Sequence, residues 1–174
     1  MNILEIFPWS ADHEPVFAKD WGILAFCRRF PDFAGLADRM CEHLPSGYNN
    51  YLVDMMVHDC RPGVRTCKDI RWHFDGDYAG DNRYVLWVRG PNRTEFLKDS
   101  PDFVGLPEDR GSQNLFLEKM LAGAVVVSAP DQAMVGYGSK VAHKGIICKE
   151  TGRRVFLRAM ASNYIRPKNI LRSE

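Results

Sequence analysis

Arg71-Trp72-His73-Phe74-Asp75-Gly76 is the stretch from which the fold can be read. His73 and Asp75 stand two residues apart. On a β-strand that spacing puts both side chains on one face, because successive residues point to opposite sides. Residues 69–75 therefore read as a strand carrying an imidazole and a carboxylate together. Those two groups are part of the two-histidine, one-carboxylate set that holds non-haem Fe(II). The motif is weak by itself. With 14 Asp in 174 residues, five histidines produce about 0.4 His-x-Asp pairs by accident. Its neighbours have to carry the reading.

Working outward, the pattern after residue 48 is one of short strands and turns. Tyr51 to His58, Arg83 to Val88, Thr94 to Leu97, Ala124 to Ser128 and Asp131 to Tyr137 read as strands, with Thr94 to Leu97 returning on the strand before it. Residues 140–148 and 154–161 read as two more, joined at Lys149-Glu150-Thr151-Gly152. Residues 98–112, rich in Pro, Asp and Gly, read as a loop and a candidate lid. Residues 114–121 fit a strand or a short helix equally. Before residue 48, Asp32 can cap a helix that places Phe33, Leu36, Ala37, Met40 and Leu44 at helical spacing, to brace a sheet. Residues 21–30 fit a short helix or a strand, and residues 1–19 a loop or short edge strand. The economical architecture is mainly β with N-terminal helices: a double-stranded β-helix of the jelly-roll, cupin-like type. One domain is expected over 1–174, with helical and loop support in 1–47, the β core in 48–162 and a basic tail in 163–174.

Composition sets bounds on function. The net charge of +1 gives no global basic field for non-specific nucleic-acid binding. Five cysteines are odd in number and form no Cys-x-x-Cys, which argues against a structural zinc site and for a reduced, cytoplasmic protein. No basic start with an apolar run of signal length is present, and no run approaches the ~20 apolar residues of a membrane span.

The third ligand candidate is His143. If residues 140–148 and 154–161 form a hairpin turning between Glu150 and Thr151, His143 faces Arg158 and Ile147 faces Arg154. Period two then gathers Val141, His143, Gly145 and Ile147 with Arg154, Phe156, Arg158 and Met160 on one face. Arg153 and Lys144 point the other way. Two arginines on an otherwise apolar face require an anion. A planar guanidinium fork suits a carboxylate. A dicarboxylate that also chelates the metal meets that need.

His73-x-Asp75, His143 and Arg154 eleven residues on resemble the Fe(II)/2-oxoglutarate-dependent dioxygenases, in the pattern of their taurine dioxygenase-like and phytanoyl-CoA hydroxylase-like members. Arg158 matches the wider spacing of other branches. Gly90-Pro91-Asn92-Arg93-Thr94-Glu95-Phe96 is similar to the Gly-Gly-x-Thr-x-Phe segment of prolyl hydroxylase-like members, and Asn50-Tyr51-Leu52-Val53 to a strand of nucleic-acid-modifying relatives. The likeness covers about residues 48–162. It implies Fe(II) on His73, Asp75 and His143, with 2-oxoglutarate and O2 as co-substrates. Arg154 would hold the distal carboxylate, Arg158 the other carboxylate or the substrate, and Thr94 would face the co-substrate. Arg71 and Asn50 are candidate substrate contacts. The implied reaction is hydroxylation or demethylation of an anionic or nucleotide-like small molecule or nucleic acid, with release of succinate and CO2. A tyrosine followed by Pro-Gly in the relatives is replaced here by Met56 and a later Arg61-Pro62-Gly63. A cupin-like metalloenzyme without 2-oxoglutarate and a non-catalytic jelly-roll binding protein remain as alternatives.

Other features read as scaffold. Arg61, Arg65, Lys68 and Arg71 form either a basic rim or a solvated loop. His13, His43 and His58 lack partners at ligand spacing and read as surface or capped residues. Asp77 is a less regular alternative to Asp75. Trp72, Phe74 and Phe156 read as core or pocket walls, and Cys148 as pointing away from the pocket.

Overall fold

The computed structural model describes residues 1–67, 70–76, 80–99 and 101–173. Lys68 of the basic stretch, Asp69 at the start of the expected metal strand and Asp77 lie outside them. In chain order the elements are β1 (Asn2–Ile6), β2 (Val16–Gly22), α1 (Ile23–Arg29), a 3-10 turn (Pro31–Phe33), α2 (Ala34–Glu42), β3 (Asn50–Cys60), β4 (Arg83–Arg89), β5 (Glu95–Leu97), α3 (Arg110–Met120), β6 (Val126–Ser128), β7 (Ala133–Gly138), β8 (His143–Lys144), β9 (Gly152–Ser162) and β10 (Ile170–Ser173). Among the described residues these strands make two sheets, in which all the pairs are antiparallel. The larger has the order β1-β7-β4-β9-β3-β2-β10 and the smaller β6-β5-β8. From β3 onward the chain passes back and forth between the two sheets, with an isolated bridge between His73 and His143 extending the smaller one.

Alternation along the central strands separates two layers of core. Val53, Met55, Val57, Val85, Trp87, Val155, Leu157 and Ala159 point to one face of the large sheet, where α1 and α2 cover them. The intervening residues Leu52, Tyr84, Leu86, Val88 and Met160 point to the other face and pack with Phe96 of the small sheet. Each fully buried large apolar side chain is worth ~1.5–3 kcal/mol of burial free energy, so this alternation fixes which face every residue presents. Helix α2 forms because Leu36, Ala37 and Met40 make one buried stripe at helical spacing. Asp32 does not cap it. It lies inside the 3-10 turn that Pro31 begins, and its carbonyl accepts from the Trp9 indole.

Several expected connections differ. Residues 69–75 form no regular strand among the described residues; only the His73 bridge pairs. β5 returns not on β4 but between β6 and β8. The hairpin expected around Glu150 does not exist: β8 pairs with β5, and β9 lies between β3 and β4 in the other sheet. The reason is local. The Asn92 side chain accepts from the amides of Lys149 and Glu150 and donates to the Glu150 carbonyl, so these groups guide the chain across to the other sheet. Gly90, at φ +102, lets that turn come close, since a Cβ there would lie 2.3 Å from the Arg153 carbonyl oxygen. The candidate lid leads into α3, capped by Asp109. Phe103 and Leu117 pack against Trp72 and Phe74, bracing the metal segment from outside. Residues expected as a basic tail include β10, which pairs with β2 at the sheet edge. Among the described residues no helix is long and apolar enough to cross a membrane.

Candidate metal centre

The bridge between His73 and His143 is a pair of backbone hydrogen bonds, of 3.0 and 3.1 Å. It sets the two imidazoles side by side, ring centroids 4.5 Å apart. Trp72 and Phe74 turn outward into the α3 cluster, so His73 and Asp75 turn inward. One ligand atom from each of His73, Asp75 and His143 lies within 4.8 Å of the others, and all three residues are buried. The His73 Nδ1 donates to the Arg71 carbonyl at 2.7 Å and the His143 Nδ1 to the Val141 carbonyl at 3.1 Å. When a ring is neutral, these acceptors leave its lone pair on Nε2, the second-shell arrangement of metal-binding histidines. His143 Nε2 lies 3.1 Å from Asp75 Oδ2. Two donors each ~2.1 Å from one ion and at right angles stand about 3 Å apart, so His143 and Asp75 have the spacing of two ligands of one ion, and with His73 they make a group that could hold a divalent metal.

Asp75 is held on every side. Its Oδ2 accepts from the Tyr137 hydroxyl at 2.7 Å, its backbone carbonyl accepts from the Tyr84 hydroxyl at 3.0 Å, and its Oδ1 pairs with Arg158. Burial alone would raise this carboxyl, yet the Arg158 guanidinium and His143 hold it well below the usual carboxylate range. Burial, with Asp75 beside it, pushes Tyr137 well above its ordinary value and keeps it a donor. Arg158 also donates to Asp54 Oδ2 from Nε at 3.2 Å and from Nη2, and Asp54 Oδ1 accepts the Asp20 amide at 2.7 Å. Burial would lower Arg158, but Asp75 and Asp54 raise it well above the ordinary arginine value. Arg158 was expected at a co-substrate carboxylate or at the substrate. Its fork is instead taken by two carboxylates of the protein, because β3 pairs with β9 and sets Asp54 opposite it.

Arg154 has the contrary surroundings. It is 2% exposed, and among the described residues it has no carboxylate partner. Its Nε donates to the Asn92 carbonyl at 3.1 Å and its Nη2 to the Thr94 hydroxyl at 3.2 Å, while Nη1 is buried without a hydrogen-bond acceptor. The guanidinium lies over the Phe156 ring, 5.2 Å from its centre. Burial lowers its affinity for its proton. Arg154, Thr94, Arg158 and the three metal candidates line one cavity. A buried cation with an unsatisfied donor is a costly arrangement, and an anion beside it would lower that cost.

Other expected residues fall elsewhere. Asn50 donates to the Ser162 carbonyl at the far end of β3 and does not line the cavity. Arg61, Arg65 and Arg71 are exposed and also outside it. His58 is not a surface histidine: it is buried, and burial with Arg154 nearby pulls it down to about 4. Cys148 does not line the cavity, as expected, and is buried beside Cys60. Phe156 lines the cavity; Trp72 and Phe74 are core. Asp54, Tyr84, Tyr137 and Asn92 were not anticipated. Only Asp54 left a sequence signal, a lone acid at an inward position of an apolar strand.

No protein-family model matches the chain, and no curated protein does. Among solved structures, EvdO2 from Micromonospora carbonacea var. aurantiaca is similar with a TM-score of 0.50 and 14% identity, over 92% of this chain and 71% of that one. AviO1 from Streptomyces viridochromogenes Tue57 gives 0.49 and 16%, over 94% and 75%. The nickel complex of the non-heme monooxygenase ThoJ gives 0.45 and 17%, over 91% and 64%. At such identities the likeness is one of fold.

Proposed function

We propose that this protein is an Fe(II)- and 2-oxoglutarate-dependent oxygenase built on a double-stranded β-helix. The passage of the chain between two facing sheets supports that architecture. One observation carries the function: a buried guanidinium without a carboxylate partner among the described residues, Arg154, lines the same cavity as a two-histidine, one-carboxylate donor set. In this reading His73, Asp75 and His143 hold the metal, and Arg154 with Thr94 binds the distal carboxylate of 2-oxoglutarate. When bound, the iron with 2-oxoglutarate and O2 supplies oxidation of a substrate C–H bond, with release of succinate and CO2. The chain's own residues bind and orient. Tyr137 and Arg158 hold the two oxygens of Asp75, and Phe156 and Leu86 help to keep water away from the cavity floor. A metalloenzyme without 2-oxoglutarate would leave Arg154 unmatched.

Anaerobic addition of Fe(II) and 2-oxoglutarate together produces the weak visible charge-transfer band of the chelated metal, and neither alone does. Metal binding without that band on adding 2-oxoglutarate refutes the proposal.

Asp54 has a positioning role. By engaging Arg158 it limits the share of that guanidinium that Asp75 receives. Asp54→Asn leaves Arg158 to Asp75 alone, where it competes with the metal, and weakens metal binding by ~10–100-fold, the usual cost of a second-shell change. A metal titration of the variant checks this, and an unchanged affinity rules the role out.

A further inference from the structure

We propose that the substrate is a small anion with an apolar body, and that Lys19 at the cavity mouth binds its carboxylate or phosphate; this rests on the proposed function above. The inference begins from charge. Asp54 and Asp75 are the carboxylates among the described lining residues. Both are engaged: Asp54 by the Asp20 amide and Arg158, Asp75 by Arg158, Tyr137 and His143. With the metal and co-substrate in place the interior is electrically balanced. Two carboxylates and one dicarboxylate stand against the guanidiniums of Arg154 and Arg158 and one divalent ion.

Lys19 lies outside that balance. It is exposed, lines the cavity, and forms no ion pair among the described residues. Phe17, two residues earlier on β2, lines the cavity as well. Lys19 falls within the irregularity of the β2–β3 pairing between Ala18 and Trp21, but the regular pairing of Phe17 with Arg172 and Lys19 with Ile170 of β10 keeps the period, and both side chains line the cavity. Arg110, at the start of α3 in the segment linking β5 to β6, is a second exposed cation of the lining. Met56 and Phe156, apolar and half-buried like Phe17, line the cavity too. A ligand that satisfies this lining rests its body on Phe17, Met56 and Phe156 and extends its anionic group outward to Lys19. An ammonium at the rim serves such a group as a point charge.

The experiment uses the full chain with Fe(II) and 2-oxoglutarate under anaerobic conditions. Once the visible band has formed, 3-phenylpropionate, phenyl phosphate and the neutral 3-phenylpropionamide are titrated in, and the shift of the band is read. The expected result is saturable binding of at least one anion, with the amide weaker by about tenfold or more and affinity falling as salt rises. The carboxylate and phosphate arms show which head group fits. Lys19→Ala weakens anion binding by about tenfold and Lys19→Glu abolishes it. Lys168→Ala removes an equal charge outside the cavity lining and changes affinity less than about twofold. A missing band before any probe is added overturns the proposed function and this inference with it. A normal band overturns this inference alone if no anion binds, if the amide binds as well as the acids, or if both Lys19 variants bind like the parent.

Discussion

Asp75→Asn abolishes metal-dependent succinate release and lowers metal affinity by more than ~100-fold, a loss that second-shell changes alone can reach. The amide is close to the carboxylate in shape, so it can still accept from Tyr137, but it lacks the charge that a divalent ion requires. Asp75→Ala is the harsher change. It leaves the Tyr137 hydroxyl buried without its acceptor and Arg158 with Asp54 alone. Breaking a buried ion pair costs ~3–5 kcal/mol, so the Ala variant melts lower. His73→Ala and His143→Ala share the metal defect. Metal content per folded chain, measured beside succinate, separates loss of the ligand from loss of the fold. An Asn variant that retains metal and turnover refutes the assignment of Asp75 as ligand.

Arg154→Met has a divided effect: 2-oxoglutarate binding falls by ~100-fold, while the protein without co-substrate melts no lower and even higher. The first part follows from removing one member of a buried, hydrogen-bonded charge pair, which costs ~2–5 kcal/mol. The second follows because the guanidinium is a buried charge with no carboxylate partner among the described residues, and replacing such charges by apolar side chains is often neutral or stabilising. Arg153→Ala is the control. Arg153 points outward and pairs with Asp59 at 2.6 Å and with Asp12 at 3.7 Å. Partly exposed pairs of this kind are worth ~0–1 kcal/mol, so its loss costs little stability and leaves 2-oxoglutarate affinity as it was. Calorimetric titration with 2-oxoglutarate and thermal melts of both variants check this. Equal effects on co-substrate binding overturn the placement of Arg154.

Side-chain parity was legible in the sequence and pairing was not. Arg154, Phe156, Arg158 and Met160 do share the inward face of β9, and Arg153 does point away, because alternation is a local property of an extended backbone. The hairpin used to reach that face does not form. Whether two strands pair depends on where the chain travels between them, and here Asn92, nearly sixty residues before the turn, holds the backbone at Lys149 and Glu150. That His73 and His143 come close was legible for a different reason. Two ligands can share one ion only if their backbones approach.

By itself, then, the sequence determined the mainly β character, the helix that covers the large sheet, and the candidates His73, Asp75, His143, Arg154 and Thr94. Those depend on residue type and local period. The tertiary structure alone decided how the two arginines differ. Arg158 meets Asp54 and Asp75 because β3 lies directly beside β9, and Arg154, four residues away on the same face, meets neither. The charge of a buried arginine is settled by what other strands bring to it, and no pattern within one strand encodes that.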